Sequence, residues 1–183
     1  MVCKHEVLCM YESDLKEKMK MVDALVPLEV RAYDRPAEVG ILPRAAVASR
    51  IAAGAMIFVA SSARTPVAYL CATTKECWIG EIDDWLLVSP GEVYFYDAYT
   101  RPEWRGKKIY SRLICAAAGY FRQRSYERAM IFATRRNARS IRGIARCGFD
   151  RYATVRYCNF MGWKSWTIRV GERHVGSRLR LEN

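Results

Sequence analysis

Hydrophobic and polar positions sort the chain into short segments with different periods. Residues 6–11, EVLCMY, read as a strand opening the fold. The stretch SDLKEKMKMVDALV follows, with Ser13 or Asp14 as a natural cap. Its apolar positions Leu15, Met19, Val22 and Val26 fall at helical spacing, with Lys16, Glu17, Lys20 and Asp23 facing the other way, which predicts a helix. A loop marked by Pro27, Pro36 and Gly40 leads to LPRAAVASRIAAG, a second predicted helix closed by Gly54. AMIFVAS and PVAYLCATT are two strands joined by SART, a hairpin pattern.

Residues 75–91, KECWIGEIDDWLLVSPG, carry Trp78, Trp85 and Leu86 and end at Pro90 and Gly91. They read as a short strand or helix covering a site. The aromatic run EVYFYDAYT is a strong strand. RGKKIYSRLICAAAGYFRQR is a helix with Ile109, Leu113, Ala117 and Phe121 on its apolar face. RAMIFAT is a buried strand, and NARSIRGIARCGF is a short helix between Asn137 and Gly148. DRYATVRYCNFMGWKSWTIRV gives two more strands, broken near Gly162. No repeat or linker interrupts the order, so residues 1–183 are expected to form one α/β domain around a central mixed sheet.

Composition narrows the function classes. The chain has 183 residues, 51% of them hydrophobic, enough for one sizeable core. No apolar run reaches the roughly 18 residues of a membrane span, and MVCKHEVLCMYESD lacks the long apolar stretch of a signal peptide. The cysteines Cys3, Cys9, Cys71, Cys77, Cys115, Cys147 and Cys158 form no CxxC pair and sit mostly in apolar segments. That usage points to buried free thiols in a reducing cytoplasm. The histidines are His5 and His174, and no GxSxG occurs, which argues against zinc chemistry and a Ser-His-Asp triad.

Charge adds a direction. The net charge is +11, with Arg122, Arg124, Arg128, Arg135, Arg136, Arg139, Arg142 and Arg146 all in the second half. Such a surface attracts phosphates of nucleic acid, an anionic lipid surface, a nucleotide cofactor or an acidic protein. A strand ending at Thr100 leads through RPEW and RGKK into a helix. A helix start offers unpaired N–H groups and the positive end of the dipole, so a phosphate can sit there, and Arg105, Lys107 and Lys108 add charge.

The order VYFYDAYT, then RPEWRGKKIYSRL, then NARSIRGIARCGF, over about residues 92–160, resembles the GNAT superfamily of acyl-CoA-dependent N-acyltransferases. Its first signature reads Arg or Gln, two residues, Gly, one residue, Gly or Ala. Its second reads Asn, two residues, a small or polar residue, then an aromatic and Gly-Phe. The resemblance implies a mixed, mostly antiparallel sheet of six to seven strands flanked by about four helices. It also implies acetyl-CoA or another acyl-CoA as co-substrate, no metal, and direct attack by an amine in a ternary complex.

Carried onto this sequence, the family pattern assigns a donor site. The strand before the loop splays from its neighbour, so Ala98 and Thr100 are the candidates for pairing with the pantetheine arm. The loop Arg105, Gly106, Lys107, Lys108, Ile109, Tyr110 and Ser111 would hold the diphosphate, and Asn137 and Ser140 would line the thioester path. Asp97 is the first candidate base because it lies in the thioester-bearing strand, three residues before Thr100. Glu92, at the start of the same strand, is the second.

Three departures stand out. Lys108 and Tyr110 occupy the signature's two small-residue positions, and Ile144 stands where many relatives carry the tyrosine acid. Tyr152 and Tyr157 are the nearest candidates for that acid, and a thiolate leaving unassisted or a lost activity are the alternatives. Trp85, Trp104, Trp163 and Trp166 are either an acceptor pocket or core and edge residues.

Three functions compete. The first is transfer of acetyl to a primary amine of a small molecule or sugar. The second uses a longer acyl-CoA or an acidic acyl carrier protein. The third, a basic nucleic-acid-binding module, lacks a recognisable motif and an exposed stacking row, so no nucleic-acid partner is expected. Homodimers are common in the family.

Overall fold

The computed structural model describes residues 3–17 and 20–171. Ten strands and three α-helices follow in the order β1 (Cys3–Asp14), β2 (Glu29–Tyr33), α1 (Arg44–Ala52), β3 (Ala55–Ser62), β4 (Thr65–Thr73), β5 (Cys77–Ile79), β6 (Asp84–Leu86), β7 (Glu92–Thr100), α2 (Ile109–Arg122), β8 (Arg128–Thr134), α3 (Ala138–Arg146), β9 (Asp150–Phe160) and β10 (Trp163–Val170). Eight strands form one sheet in the order β10-β9-β1-β8-β7-β4-β3-β2, and β5 pairs with β6 in a separate ribbon. Every pairing in the large sheet is antiparallel except β7 with β8. The class expected from the sequence is therefore present, with one strand more in the sheet and one helix fewer among the described residues.

The missing helix and the extra strand have one cause. Residues 13–26 were expected to be helical, but β1 runs on to Asp14 and residues 20–28 are irregular; Met19, one of the expected apolar positions, lies outside the described residues. From 21 to 30 exposure alternates without a break, and Val22, Ala24, Val26, Leu28 and Val30 pack on the core. A period of two is the signature of extended chain. Val22 and Val26 fit both periods, and the extended one won because the whole set to Val30 can then be buried. The segment continues into β2, which pairs with β3 from Glu29↔Ser61 to Tyr33↔Ile57.

The sheet buries both faces. Phe58, Ala60, Leu70, Ala72, Val93 and Phe95 face α2, whose Ile109, Leu113, Ala117 and Phe121 are buried against them. Their sequence neighbours point the other way. Ile57, Val59, Tyr69 and Cys71 pack with Val47 of α1, while Met10, Tyr94 and Met130 pack with Ile79, Ile82 and Leu86 of the β5–β6 ribbon. Alternation along β3, β4 and β7 thus sets α2 on one side of the sheet and α1 with the ribbon on the other.

The ribbon is pinned at its turn. Asp83, in left-handed backbone at φ 48°, accepts from the Tyr157 hydroxyl at 2.6 Å and from Lys4 Nζ at 3.0 Å. Trp166 Nε1 donates to Ile82 O at 2.8 Å. Donation by Tyr157 and then by Lys4 holds the Asp83 carboxyl below its ordinary pKa.

Candidate functional site

β7 and β8 run parallel only at their beginnings. They pair from Glu92↔Arg128 to Phe95↔Ile131, and no pairing continues beyond. β4 keeps β7 to its end at Ala68↔Thr100, but with a break in register between Tyr69 and Cys71. Tyr69 meets Tyr99 and Cys71 meets Tyr96, so Asp97 and Ala98 together face Leu70 alone. That is a β-bulge, and Asp97 is its left-handed residue at φ 45°. A bulge bends its strand, and here β7 turns away from β8 at the point where the parallel ladder stops.

A non-glycine residue in left-handed backbone costs about 1 kcal/mol and needs support. Asp97 has it from three donors. Arg50 on α1 donates to Oδ2 through Nε at 2.8 Å and again through Nη2, and Tyr69 Oη donates to Oδ1 at 3.1 Å. The carboxylate therefore points toward α1, on the face of the sheet opposite α2. Burial and then the Asp97 charge push the adjacent Cys71 thiol up to about 12, so it stays protonated and offers no thiolate nucleophile at neutral pH.

The gap between the strands opens into a cavity of about 780 Å3 lined by the Ala98–Thr100 edge, the loop before α2 and one side of α3. Gly106 at φ 81° and Lys108 at φ 58° are both left-handed, and they wind the loop into the first turn of α2. Lys108 caps α2 without a side-chain hydrogen bond, and no acidic residue sits in the first turn. The N–H groups of that turn have no intrahelical acceptor and face the cavity at the positive end of the dipole. α3 is built differently: Asn137 Oδ1 accepts from Ser140 N at 3.1 Å, so Asn137 is a cap as well as a lining residue.

The loop is held from behind. Arg105 Nε donates to Thr100 O at 3.1 Å, Leu25 N donates to Lys107 O at 3.0 Å, and Lys107 Nζ lies 4.3 Å from the Trp104 ring centroid. The extended segment that replaced the expected helix thus buttresses this turn, a role its sequence did not signal.

Tyr110 leaves the loop entirely. Its ring packs on α3 at Gly143, where an added Cβ would lie 2.7 Å from Tyr110 Cδ1. Burial pushes its phenol well above its ordinary pKa, and the hydroxyl meets the Ser140 side chain. Ser111 Oγ donates to Gly143 O at 2.9 Å beside it. A bulky residue fits the signature's small position because a glycine on the neighbouring helix makes room.

Of the residues singled out in the sequence, the structure brings Ala98, Thr100, Arg105, Gly106, Lys108, Ile109, Tyr110, Ser111, Asn137 and Ser140 around this one cavity. Lys107 stands behind the loop, and Asp97 lies at the bulge on the α1 side. Glu92 and Tyr152 are not brought to it. They line a second cavity with Glu12 and Arg128, at the other end of β7, and Arg128 Nη1 lies 3.3 Å from Glu92 Oε1. Eight residues of strand put Glu92 about 26 Å from Thr100. Tyr157 is engaged at the ribbon turn, and Ile144 is fully buried. The four tryptophans form no common pocket: Trp85 meets Trp78, Trp166 anchors Ile82, Trp163 is 85% exposed, and only Trp104 reaches the cavity. His174 lies outside the described residues. Arg50 went unnoticed in the sequence, since nothing local marks a helix arginine as the partner of a strand aspartate 47 residues away.

A strand pair that parts at a bulge, beside an uncapped helix start rich in cations, can hold an extended chain ending in phosphates. The sequence model of the Acetyltransferase (GNAT) family matches residues 23–149, more than half of the chain. The protein belongs to the GNAT acetyltransferase family. A search of curated protein sequences gave no match.

Solved structures agree in fold. A GCN5-related N-acetyltransferase from Sphaerobacter thermophilus has a TM-score of 0.58 at 10% identity, covering 90% of this chain and 51% of that one. A GNAT-family acetyltransferase described as putative, from Novosphingobium aromaticivorans, has a TM-score of 0.55 at 16% identity, covering 90% and 64%. A tandem GNAT protein from the clavulanic acid biosynthesis pathway has a TM-score of 0.53 at 14% identity, covering 89% and 52%. The chain thus spans between half and two thirds of each of these structures. Among the described residues no group of His, Cys, Asp and Glu could hold a metal ion, and no helix is long and apolar enough to cross a membrane.

Proposed function

We propose that this GNAT domain transfers an acyl group, acetyl in the simplest case, from coenzyme A to a primary amine of a small molecule or sugar. The observation that carries this reading is the parting of β7 from β8 after Phe95↔Ile131, which frees the Ala98–Thr100 edge beside an uncapped, cationic helix start. The free edge pairs with the amide groups of the donor's arm, as an added strand would. N–H groups of the loop and the first turn of α2 cradle the diphosphate, with Arg105 and Lys108 adding charge. Lys108 serves as well as glycine, because the cradle uses backbone N–H groups and the residue already adopts the left-handed conformation.

The thioester end then lies over the bulge, where Asp97 and Ala98 oppose one residue of β4 and the ladder is locally interrupted. Peptide N–H groups released there are available to a developing oxyanion. The amine approaches from the α1 side, where Asp97 is the acidic side chain of the freed stretch. Arg50 and Tyr69 fix its carboxylate, which takes the ammonium proton directly or through water. Orientation of two partners in one cleft supplies much of the rate. Protonation of the leaving thiolate has no tyrosine at position 144, and water or the Tyr110–Ser140 pair serves instead.

The test is steady-state acyl transfer across a panel of amines with acetyl-CoA. Asp97→Asn is expected to lower kcat by about 100-fold with donor affinity within about twofold. Arg105→Ala is expected to weaken the donor about tenfold with a smaller effect on kcat. Unchanged turnover in Asp97→Asn removes the base assignment, and no transfer from any acyl-CoA removes the donor.

A further inference from the structure

Five cations line this cavity: Arg105, Lys108, Arg139, Arg142 and Arg146, with no Asp or Glu among the described residues that line it. Two of them sit at the loop before α2. The other three lie on α3 at steps of three and four residues, so they form one row on one face of the helix. The row runs about 10 Å along the helix axis.

The row is costly to the helix that carries it. Like charges three or four residues apart repel, and Arg139 stands in the first turn, at the positive end of the dipole. α3 has no acidic residue in its first turn to offset this, and none in Ala138–Arg146 at all. Among the described residues no carboxylate forms a salt bridge with any of the three guanidinium groups. All three are exposed, while Ile144, on the opposite side of α3, is buried. Solubility alone asks only for scattered charge. A continuous row along a cavity wall, with no counter-charge paired to it among the described residues, is the form of an anion site.

Charge counting names the anion. This step rests on the acyl-CoA reading above. The diphosphate of coenzyme A carries two negative charges, which the α2 N–H groups, Arg105 and Lys108 meet. Its ribose 3′-phosphate carries close to two more at neutral pH. We propose that the Arg139–Arg142–Arg146 row binds that 3′-phosphate, so that the enzyme selects complete coenzyme A over donors that end at the diphosphate or at a single phosphate. Guanidinium groups suit a terminal phosphate because each can give it two parallel hydrogen bonds. A phosphopantetheine arm on a carrier protein has no 3′-phosphate, and the row would then face the carrier's own acidic surface.

The experiment is calorimetric titration of the full chain with coenzyme A and with 3′-dephospho-coenzyme A at low ionic strength, where phosphate contacts are least screened. The wild type is expected to bind dephospho-coenzyme A about 30-fold more weakly. The triple variant Arg139→Gln, Arg142→Gln, Arg146→Gln is expected to bind both ligands equally, at the wild type's affinity for the dephospho form. Lys108→Gln is expected to weaken both ligands and keep their ratio. Because the first comparison changes only the ligand, it stands whatever the variants do to folding. Equal wild-type affinities, or a preference that survives in the triple variant, overturn the assignment while leaving the donor reading intact. No binding of either ligand overturns both. Preferential retention of an acidic acyl carrier protein by the wild type, lost in the triple variant, gives the row to a protein partner and overturns the 3′-phosphate.

Discussion

Tyr110 stands in a turn where the family signature has glycine or alanine, and its ring is accommodated by a second departure from bulk on another helix. Gly143 has no Cβ, and the Tyr110 ring occupies the place a Cβ would take, at 2.7 Å. The two positions form one packing unit, so each is expected to tolerate change only with the other. Gly143→Ala should cost about 1–3 kcal/mol by overpacking, and Tyr110→Ala should cost through the cavity it leaves. The double variant should recover part of the sum. Urea unfolding of the four proteins in a double-mutant cycle measures the coupling, and strictly additive losses would show that the ring and the glycine are independent. None of this was readable at position 110 alone, because the partner lies on a different helix. The signature residues Arg105 and Gly106, by contrast, announce the turn locally, since glycine readily takes φ 81°.

Elements show the same division between local and distant causes. EVYFYDAYT was legible as a strand from its aromatic and β-branched content, and the hairpin of β3 and β4 from its alternation. The bulge at Asp97 was not, because it is held by Arg50 on α1 and by Tyr69 on β4. Residues 20–28 misled because Val22 and Val26 satisfy a helical period and an extended one together. Only the full set through Val30 discriminates, and Leu25 N bonding to Lys107 O ties the segment to the donor loop. The β5–β6 ribbon gives the element scale its own prediction. Asp83 has a folded-state pKa below its ordinary value, so its anchoring of the ribbon is present above that ordinary value, near 3.8, and fades as pH falls through the depressed one. Trp78 and Trp85, which meet on the ribbon, report it by fluorescence. The ribbon signal is expected to change in acid in the wild type, while Asp83→Asn should show the altered signal already at neutral pH and melt about 2–4 °C lower. Identical signals in the two proteins at neutral pH would show that Asp83 does not hold the ribbon.

At the scale of the molecule, the sequence suggested a mixed sheet with a cationic loop between a strand and a helix, and the structure has both. The part that composition could only hint at is how charge is sorted. A net charge of +11 is compatible with nucleic acid, lipid or nucleotide, but the cavity at the start of α2 gathers five cations with no acid among the described residues that line it, while the second cavity, where Glu92 and Tyr152 lie, mixes Glu12, Asp14, Glu17, Glu92, Glu127 and Asp150 with basic residues. Two ends of one strand thus have opposite chemistry, and only one suits a polyphosphate donor. On the proposed reading the acceptor enters on the face that carries α1, whose contacts with the sheet come from residues far apart in sequence, so no local motif names it. The proposed function puts the donor where β7 and β8 part. It is tested most directly by following backbone amide chemical shifts across the protein during titration with acetyl-CoA. The largest changes are expected at Ala98–Thr100, Gly106–Ser111 and Asn137–Ser140. No change at saturating acetyl-CoA, or changes gathered around Glu12, Glu92 and Tyr152, would contradict it.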